Sequence, residues 1–383
     1  MNNTKKVIRF NEPYITGNEL GYIEQVFENK HFQGNGPFTR KCQDWLAAYL
    51  NAPSVLLTDS CTSALEIAAL LLKENEFDEV ILPSYTFSST ASAFARAGYT
   101  LRFADVDPKT MMMDPVVVEG LINENTRALV PVHYAGLPCE IEMFSALCDK
   151  YNLSLVEDAA QALGTSLDGK KMGSIGRLGC FSFHETKNIH AGLSGALVIN
   201  DPDLAERATY IWERGTNRAA VLQGVVDKYT WVEVGGSFYP TELQAAFLLA
   251  QLESLDDNID YRCDIYQTYK TQLAPLKSIH GIDFPLAAAN VEINYHAFFV
   301  VFESFEQCES VRKHLVANDI HAYIGYVPLH SSPVGLSMGY EPDSLPLTEE
   351  YARRVLRLPF HNNMTIEDTN RVCLNIKVAL ENV

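Results

Sequence analysis

The sequence predicts an α/β protein in which a mostly parallel β-sheet is covered by helices on both faces and is followed by a smaller α+β domain. Between residues 55 and 199, short apolar or β-branched runs alternate with segments of helical periodicity. That alternation is typical of parallel sheets, because each crossover between parallel strands needs a helix. The length of 383 residues favours two domains. We expect a large domain at 1–255 and a small domain at 256–383.

Seven runs between these helical segments are predicted to form the large sheet. They are VLLT (55–58), EVILP (79–83), LRFADV (101–106), ALVPVH (128–133), LSLVED (153–158), CFSF (180–183) and ALVI (196–199). Residues 63–73 and 141–151 have helical periodicity and are predicted crossover helices. A capping box of Ser63 and Glu66 is expected to begin the first of them.

The rest of the chain reads as a helix that leaves the large domain and an α+β unit beyond Pro275. The predicted elements are a helix at 241–257 continuing to about 273, a strand at 295–302, a helix at 305–319, a strand at 321–326 and a final helix from about 365. The aromatic run at 266–273 has helical spacing, which favours packing over ligand recognition.

Composition and charge exclude several classes of protein. The 30 Lys and Arg residues against 48 Asp and Glu residues give a net charge of −18, which disfavours nucleic acid or an anionic membrane as a partner. No signal peptide or membrane span is predicted. The eight cysteines are scattered without metal-binding spacing, so we expect reduced thiols, no metal and a cytoplasmic enzyme.

Polar residues follow three of the predicted strands, at the sheet edge where open parallel sheets bind ligands. VLLT leads to Ser60-Cys61-Thr62 at a helix start, where free N–H groups and the helix dipole favour a phosphate. LSLVED ends at Asp158, and Lys187 follows CFSF. Each feature alone has an ordinary explanation, namely a helix cap for the first two and a solvated surface charge for the lysine.

Together these residues match the requirements of pyridoxal phosphate. Its aldehyde forms a Schiff base with an amine, its pyridine nitrogen needs an acidic partner, and its phosphate and ring need a cradle and an aromatic neighbour. Lys187 and Asp158 would meet the first two needs. Residues 60–62 with Ser182 would hold the phosphate, and Phe87 would stack on the ring. The carboxylate would keep the ring nitrogen protonated, which makes the ring an electron sink for transamination.

Longer stretches resemble the DegT/DnrJ/EryC1/StrS sugar aminotransferases over most of residues 8–260. The matching stretches are SCTSALEIAALLL, VILPSYTFSSTASAF, VPVHYAGLPCEI, VEDAAQALG, GCFSFHETKN, GTNR, VDKYTW and TELQAAFLLAQLE, with looser similarity in VPLHSSPVG and RLPF. SFHETKN and VDKYTW are most similar to the members that form dTDP-4-amino-4,6-dideoxygalactose. The resemblance implies the aspartate-aminotransferase fold, fold type I of the pyridoxal phosphate enzymes.

The resemblance also implies an activity and roles for single residues. An amino group would pass from L-glutamate to a nucleotide-linked keto-deoxysugar, with dTDP-4-keto-6-deoxy-D-glucose as the expected acceptor in polysaccharide biosynthesis. Lys187 would carry the cofactor and move the proton, Gln161 would contact the phenolic oxygen of the cofactor, and the backbone of Cys61 and Thr62 would bind the phosphate. Asp158, Phe87 and Ser182 would have the roles given above.

A homodimer with active sites at the subunit interface is implied as well, with Lys228 and Tyr229 serving the neighbouring site. The chain departs from the family pattern at two places. Leu193-Ser194-Gly195 stands where close relatives have a turn richer in glycine, which reduces backbone freedom near Lys187. Residues 239–240 are Tyr-Pro where many members have an Asn that reaches the partner's phosphate.

Three histidines were considered as acid–base or substrate-binding groups, because a histidine titrates near neutral pH. His133 and His184 are interpreted as loop supports, whereas His330, in VPLHSS, is a candidate for contacting the sugar.

Other functions remain open at the level of sequence. A 3-keto sugar nucleotide could be the acceptor, and a catalytically idle scaffold or regulatory binder could keep the same fold. A dehydratase is disfavoured because dehydrating relatives replace the lysine with histidine. An amino-acid aminotransferase is disfavoured because no strong candidate arginine for a second carboxylate is evident.

Overall fold

A seven-stranded sheet forms the centre of the protein, whose computed structural model describes residues 6–222 and 224–382. The strands in chain order are β1 (Ser54–Thr58), β2 (Glu79–Pro83), β3 (Thr100–Ala104), β4 (Thr126–Leu129), β5 (Ser154–Asp158), β6 (Ser166–Leu167), β7 (Lys170–Lys171), β8 (Leu178–Ser182), β9 (Gly195–Ile199), β10 (Val291–Glu292), β11 (Phe299–Val301), β12 (Tyr323–Ile324) and β13 (Val355–Arg357). The large sheet has the order β1-β9-β8-β5-β4-β2-β3.

The large sheet is mostly parallel, as predicted. Strands β3, β2, β4, β5 and β8 pair in parallel, while β9 runs antiparallel to both β8 and β1. Each of the seven predicted runs overlaps one of its strands. Because β1 and β8 both run antiparallel to β9 and β5 runs parallel to β8, the carboxyl ends of β1, β5 and β8 lie along one edge.

Helices cover both faces of this sheet and enclose a hydrophobic core on each side. The helices are α1 (Glu19–Asn29), α2 (Pro37–Leu50), α3 (Cys61–Leu72), α4 (Ser88–Arg96), α5 (Pro115–Leu121), α6 (Ile141–Tyr151), α7 (Ala205–Trp212), α8 (Arg218–Leu222), α9 (Glu242–Leu252), α10 (Leu255–His280), α11 (Phe305–Ala317), α12 (Pro333–Ser337), α13 (Pro346–Ala352) and α14 (Ile366–Leu380). Along β2, Ile81 packs into one core while Val80 and Leu82 pack into the other. Adjacent residues of a strand point to opposite faces, so a strand buried on both sides is apolar throughout.

The capping box predicted at Ser63 is wrong. The backbone of Ser60 is extended, and its side chain accepts a hydrogen bond from the Ser63 N–H at 3.1 Å, so Ser60 is the N-cap of α3. Ser63 therefore lies in the first turn, and Glu66 forms an ion pair with Arg96 of α4 instead. The helix begins two residues earlier than predicted, which moves its free N–H groups to Cys61 and Thr62.

A second sheet, in the order β11-β13-β12, lies against α10, α11 and α14 in the C-terminal part. The predicted strand at 295–302 is reduced to Phe299–Val301. Tyr295 has a φ of +50°, which is not a strand conformation, and its carbonyl oxygen accepts a hydrogen bond from Arg262 at 2.8 Å. Near the N-terminus, Ile8 forms a parallel bridge with Ile320. The domain boundary at 255 remains our proposal.

No helix within the described residues has both the length and the apolar character that a membrane crossing requires. The described cysteines are all free, and Cys61 and Cys263 are half-buried while the others are buried.

The side chain of Glu242 connects α9 to the start of α2. It is 1% exposed and accepts hydrogen bonds from the N–H groups of Gly36, Phe38 and Thr39 at 2.8–3.0 Å, as well as from the Thr39 hydroxyl. A carboxylate at a helix N-terminus binds free N–H groups and opposes the helix dipole. The contact fixes α2 against α9, and α2 also packs against β1 in the same hydrophobic core.

We expect Glu242→Ala to lower the free energy of unfolding by about 3 kcal/mol, because buried donors lose a charged acceptor. Urea unfolding followed by circular dichroism measures the change. Glu28→Ala, on an exposed side chain of α1, is the matched control and should change the free energy of unfolding by under about 0.5 kcal/mol. Equal losses in the two variants would contradict the capping role of Glu242.

Candidate active site

A cavity of about 410 Å³ opens where β1, β5 and β8 end. The structure brings together there every residue that was predicted to bind the cofactor. The predicted residues that line it are Ser60, Cys61, Thr62, Phe87, Asp158, Gln161, Ser182 and Lys187. These residues come from four separate segments, which lie at or just after the ends of β1, β2, β5 and β8. The sheet topology brings them together, because no single sequence motif contains them all.

Asp158 ends β5, the central strand, and its carboxylate is 4% exposed. One oxygen accepts a hydrogen bond from the Thr90 hydroxyl at 2.8 Å, and the other accepts one from the Ala160 N–H at 3.2 Å. Burial raises the pKa of Asp158 above its ordinary value, while these hydrogen bonds and the Lys187 charge oppose the shift. A cationic group bound in the cavity would lower the pKa of Asp158 and so stabilise the carboxylate.

Lys187 lies on the loop between β8 and β9. Backbone hydrogen bonds between Phe183 and Ser194 and between Glu185 and Gly192, both 2.8 Å long, close this loop. Burial lowers the pKa of Lys187 below its ordinary value, although the charge of Asp158 opposes the change. A larger fraction of the lysine is therefore the neutral amine, which is the form that reacts with an aldehyde.

The first turn of α3 presents free N–H groups to the cavity, where the cofactor phosphate is expected. The N–H groups of Cys61 and Thr62 have no carbonyl partner within the helix, and both residues line the cavity with Ser182. Gly195, at the start of β9, packs directly on the backbone of Ser60 and Cys61. A Cβ at position 195 would overlap those backbone atoms, so only glycine permits this approach.

The turn that departs from the family pattern is well anchored. Ser194 donates a hydrogen bond from its hydroxyl to the Thr58 carbonyl at 2.8 Å, and Gln244 donates one to the Leu193 carbonyl at 2.7 Å. The turn therefore joins the end of β1 to α9. The second departure, Tyr239, is buried against the Trp212 ring at 5.2 Å, so it packs in the core.

Gln161 and Phe87 both line the cavity and both lie beside Tyr326. Gln161 accepts a hydrogen bond from the Ala135 N–H at 2.8 Å and donates one to the Tyr326 hydroxyl at 3.4 Å. This arrangement fixes its amide group and leaves one N–H for a ligand oxygen. Phe87 is 60% exposed and contacts Tyr326 edge-on, so one face of its ring is free to cover a ligand.

These residues fit pyridoxal phosphate in chemistry and in placement. The carboxylate of Asp158, whose pKa is raised by burial, lines the same cavity as the amine of Lys187, whose pKa is lowered by burial. The helix start at Cys61 offers N–H donors and positive potential to a phosphate. Asp158 would hold the pyridine nitrogen, Lys187 the aldehyde, and residues 60–62 with Ser182 the phosphate.

Three weaker candidates lie outside the cavity. Lys228 and Tyr229 are exposed on the segment after α8, so a role for them in a neighbouring site stays a prediction. His330 is fully buried, with Nδ1 2.7 Å from the Ser84 hydroxyl and Nε2 3.1 Å from the Pro342 carbonyl. Both nitrogens are occupied by packing contacts, so the structure does not support the expected contact between His330 and a sugar.

The two other histidines support loops, as interpreted from the sequence. His133 bonds Glu157 through Nε2 at 3.0 Å and accepts from the Cys139 N–H through Nδ1. His184 is exposed, and its Nδ1 contacts the hydroxyl of Thr186.

Sequence reasoning missed several residues that line the cavity, among them Phe10, Thr90, His296, Tyr326 and Arg357. His296 is kept neutral because burial, followed by the nearby positive charges, lowers its pKa. Two of the missed residues, Thr90 in VILPSYTFSSTASAF and Arg357 in RLPF, lie in stretches that resemble the family, but the resemblance gave them no role. Arg357 was not among the residues considered when no strong candidate arginine for a second carboxylate was evident from the sequence.

Comparisons with known proteins agree with this site. Residues 13–377 match the family model described as the DegT/DnrJ/EryC1/StrS aminotransferase family. The erythromycin biosynthesis sensory transduction protein EryC1 of Saccharopolyspora erythraea is 33% identical over 348 residues, which are 90% of this chain and 91% of that protein. The GDP-perosamine synthase of Escherichia coli O157:H7 is 29% identical over 372 residues, which are 97% of this chain and 98% of the synthase.

Solved structures share the fold over almost the whole chain. DesV of S. venezuelae, solved in complex with a ketimine intermediate, has a TM-score of 0.87 and 31% identity, with 95% of both chains covered. The aminotransferase TlmJ from Streptoalloteichus hindustanus has a TM-score of 0.90 and 27% identity, covering 98% of this chain and 100% of that chain. The family match, the fold and the cavity lead to one assignment. The chain belongs to the DegT/DnrJ/EryC1/StrS aminotransferase family, the sugar aminotransferases that depend on pyridoxal phosphate.

Proposed function

We propose that the protein transfers the amino group of L-glutamate to the keto carbon of a nucleotide-linked keto-deoxysugar, with Lys187 as the catalytic amine. One observation carries the proposal. Lys187 and Asp158 line the same cavity with opposite charges, and the free N–H groups of α3 open onto it. This is the set of groups that a reaction with pyridoxal phosphate requires.

The chain would contribute a charge, a movable proton and a fixed orientation to this reaction. When bound, pyridoxal phosphate supplies a conjugated ring that delocalises the electron pair left on a substrate carbon that loses its proton. Asp158 would keep the ring nitrogen protonated. Lys187 would accept the proton from the donor carbon and return it, since its lowered pKa favours the neutral amine. The start of α3 would fix the phosphate.

We propose dTDP-4-keto-6-deoxy-D-glucose as the acceptor, giving a dTDP-4-amino-4,6-dideoxyhexose. Similarity in SFHETKN and VDKYTW supports this choice. The relatives named GDP-perosamine synthase support a nucleotide sugar as the substrate class and make a GDP-linked sugar the first competitor. A 3-keto sugar nucleotide is the second.

We also propose a homodimer with an active site at each end of the interface, acting in the cytoplasm. Support comes from exposed apolar side chains on the segment that includes Lys228. They are Val225, Tyr229, Trp231, Val232 and Val234. So many exposed apolar side chains on one short segment favour an interface with another chain. Analytical ultracentrifugation measures the mass that tests the proposal.

Lys187→Ala should lower the rate of amino transfer by at least about 1000-fold, because the amine that binds the cofactor and moves the proton is lost. Stopped-flow absorbance with glutamate measures the rate, and circular dichroism checks the fold. The control is Lys109→Ala, which removes an exposed lysine and should keep the wild-type rate. Transfer at the wild-type rate by the Lys187 variant would refute the assignment.

Asp158→Asn should leave the cofactor bound but slow the transfer by about 100-fold. A neutral amide would not keep the ring nitrogen protonated, and a fall of about two units in the pKa of that nitrogen corresponds to this factor. The absorbance change on adding glutamate measures the rate. Asp149→Asn makes the same chemical change on the exposed side of α6 and should have no effect. An unchanged rate in Asp158→Asn would remove Asp158 from the proposed mechanism.

The visible absorbance of the loaded enzyme should disappear with L-glutamate and return with dTDP-4-keto-6-deoxy-D-glucose. NMR of the product should place the new amine at C4. The absorbance could instead return with the GDP-linked 4-keto sugar or a 3-keto isomer, but not with the dTDP 4-keto sugar. That result would refute the proposed acceptor but would be consistent with an aminotransferase. If no visible absorbance forms with pyridoxal phosphate, the idle scaffold replaces the enzyme.

A further inference from the structure

Arg357 is a cation in the cavity for which the roles above provide no function. It ends β13, the middle strand of the small sheet, where it pairs with Phe299 on one side and Tyr323 on the other. Among the described residues that line the cavity it is the one arginine, and Lys187 is the one lysine. Its position is thus set by the small sheet, while Lys187 is set by the large one.

The guanidinium of Arg357 lies near two aromatic rings and forms a hydrogen bond with the side chain of one of them, Tyr326. Its central carbon is 5.4 Å from the centre of the Phe10 ring and 4.8 Å from that of Tyr326. Its Nε is buried without a hydrogen-bond partner in the part of the chain that is described. The neighbouring Arg353 and Arg354 each pair with a glutamate, whereas Arg357 has no carboxylate partner within residues 6–222 and 224–382.

A guanidinium in this setting favours an anionic ligand. Arginine stays charged at any physiological pH, so a charge removed from water without a counter-ion is unfavourable until an anion binds. The planar fork of N–H groups matches the two oxygens of a carboxylate. The two rings fix the plane of the fork, which lowers the entropy lost on binding.

We propose that Arg357 binds the α-carboxylate of L-glutamate and that Phe10 is its positioning residue. This inference rests on the proposed function. The α-carboxylate is attached to the carbon that carries the amine, so its receptor must share a cavity with Lys187. The diphosphate of a nucleotide sugar is attached to the anomeric carbon, several bonds from a keto carbon at C4, and fits this position less well.

The test separates donor binding from the rest of the reaction. Arg357→Gln and Arg357→Lys are compared with Arg353→Gln, which removes an equal charge from a side chain that is 68% exposed. Calorimetry of the loaded enzyme with L-2-hydroxyglutarate, which has no amine and cannot react, measures carboxylate binding alone. Stopped flow measures the glutamate reaction, and enzyme loaded with pyridoxamine phosphate measures the acceptor reaction.

We expect Arg357→Gln to weaken binding of L-2-hydroxyglutarate and raise the KM for glutamate by about 100-fold, the loss typical of a desolvated charge pair. Arg357→Lys should recover only part of this loss because it lacks the fork. Phe10→Ala should weaken binding by about 5-fold, the value of one ring contact to a cation. The acceptor reaction and the Arg353 control should stay within about 3-fold of wild type.

Two outcomes would overturn the inference. Unchanged affinity for L-2-hydroxyglutarate in Arg357→Gln would show that the carboxylate binds elsewhere. Equal losses in the donor and acceptor reactions would show that Arg357 supports the cavity as a whole. If the wild-type enzyme itself fails to react with glutamate, the proposed function fails, and this result is distinct from the other two.

Discussion

The active site depends on one buried charge, the carboxylate of Asp158 at the end of the central strand. Hydrogen bonds from Thr90 and Ala160 hold it in place, and burial makes its ionised form costly. Such a group is stable only beside a cation. Lys187 lies at the same cavity, so the two charges stabilise each other in the free protein, and a cofactor with a basic nitrogen strengthens that stabilisation.

The sequence was sufficient to predict the parts of the site that follow strands directly. Asp158 and Ser182 end two apolar strands of the parallel region, and Lys187 follows on the loop after the second of them. The sequence did not identify the start of α3, because two residues satisfied the same preference. Ser60 and Ser63 both satisfy the preference for an N-cap, and only the extended backbone at Ser60 decides between them.

Residues brought in by distant segments were beyond prediction. Arg357 and Phe10 are at opposite ends of the chain, and their contact depends on the docking of the N-terminal segment beside the small sheet. The surroundings of His330 could not be predicted for the same reason, because the fold brings Ser84 and Pro342 to its ring nitrogens. No periodicity in a single segment carries this information.

The contact of Ile8 with Ile320 and of Phe10 with Arg357 has a consequence for how the protein is made. During synthesis Ile8 and Phe10 leave the ribosome long before their partners Ile320 and Arg357, which lie 312 and 347 residues later in the sequence. Contacts so far apart in the chain form late and slowly. The strands of the large sheet, which end at Ile199, can therefore fold before Arg357 is synthesised, whereas the cavity is completed only afterwards, so cofactor capture should follow the synthesis of the small sheet.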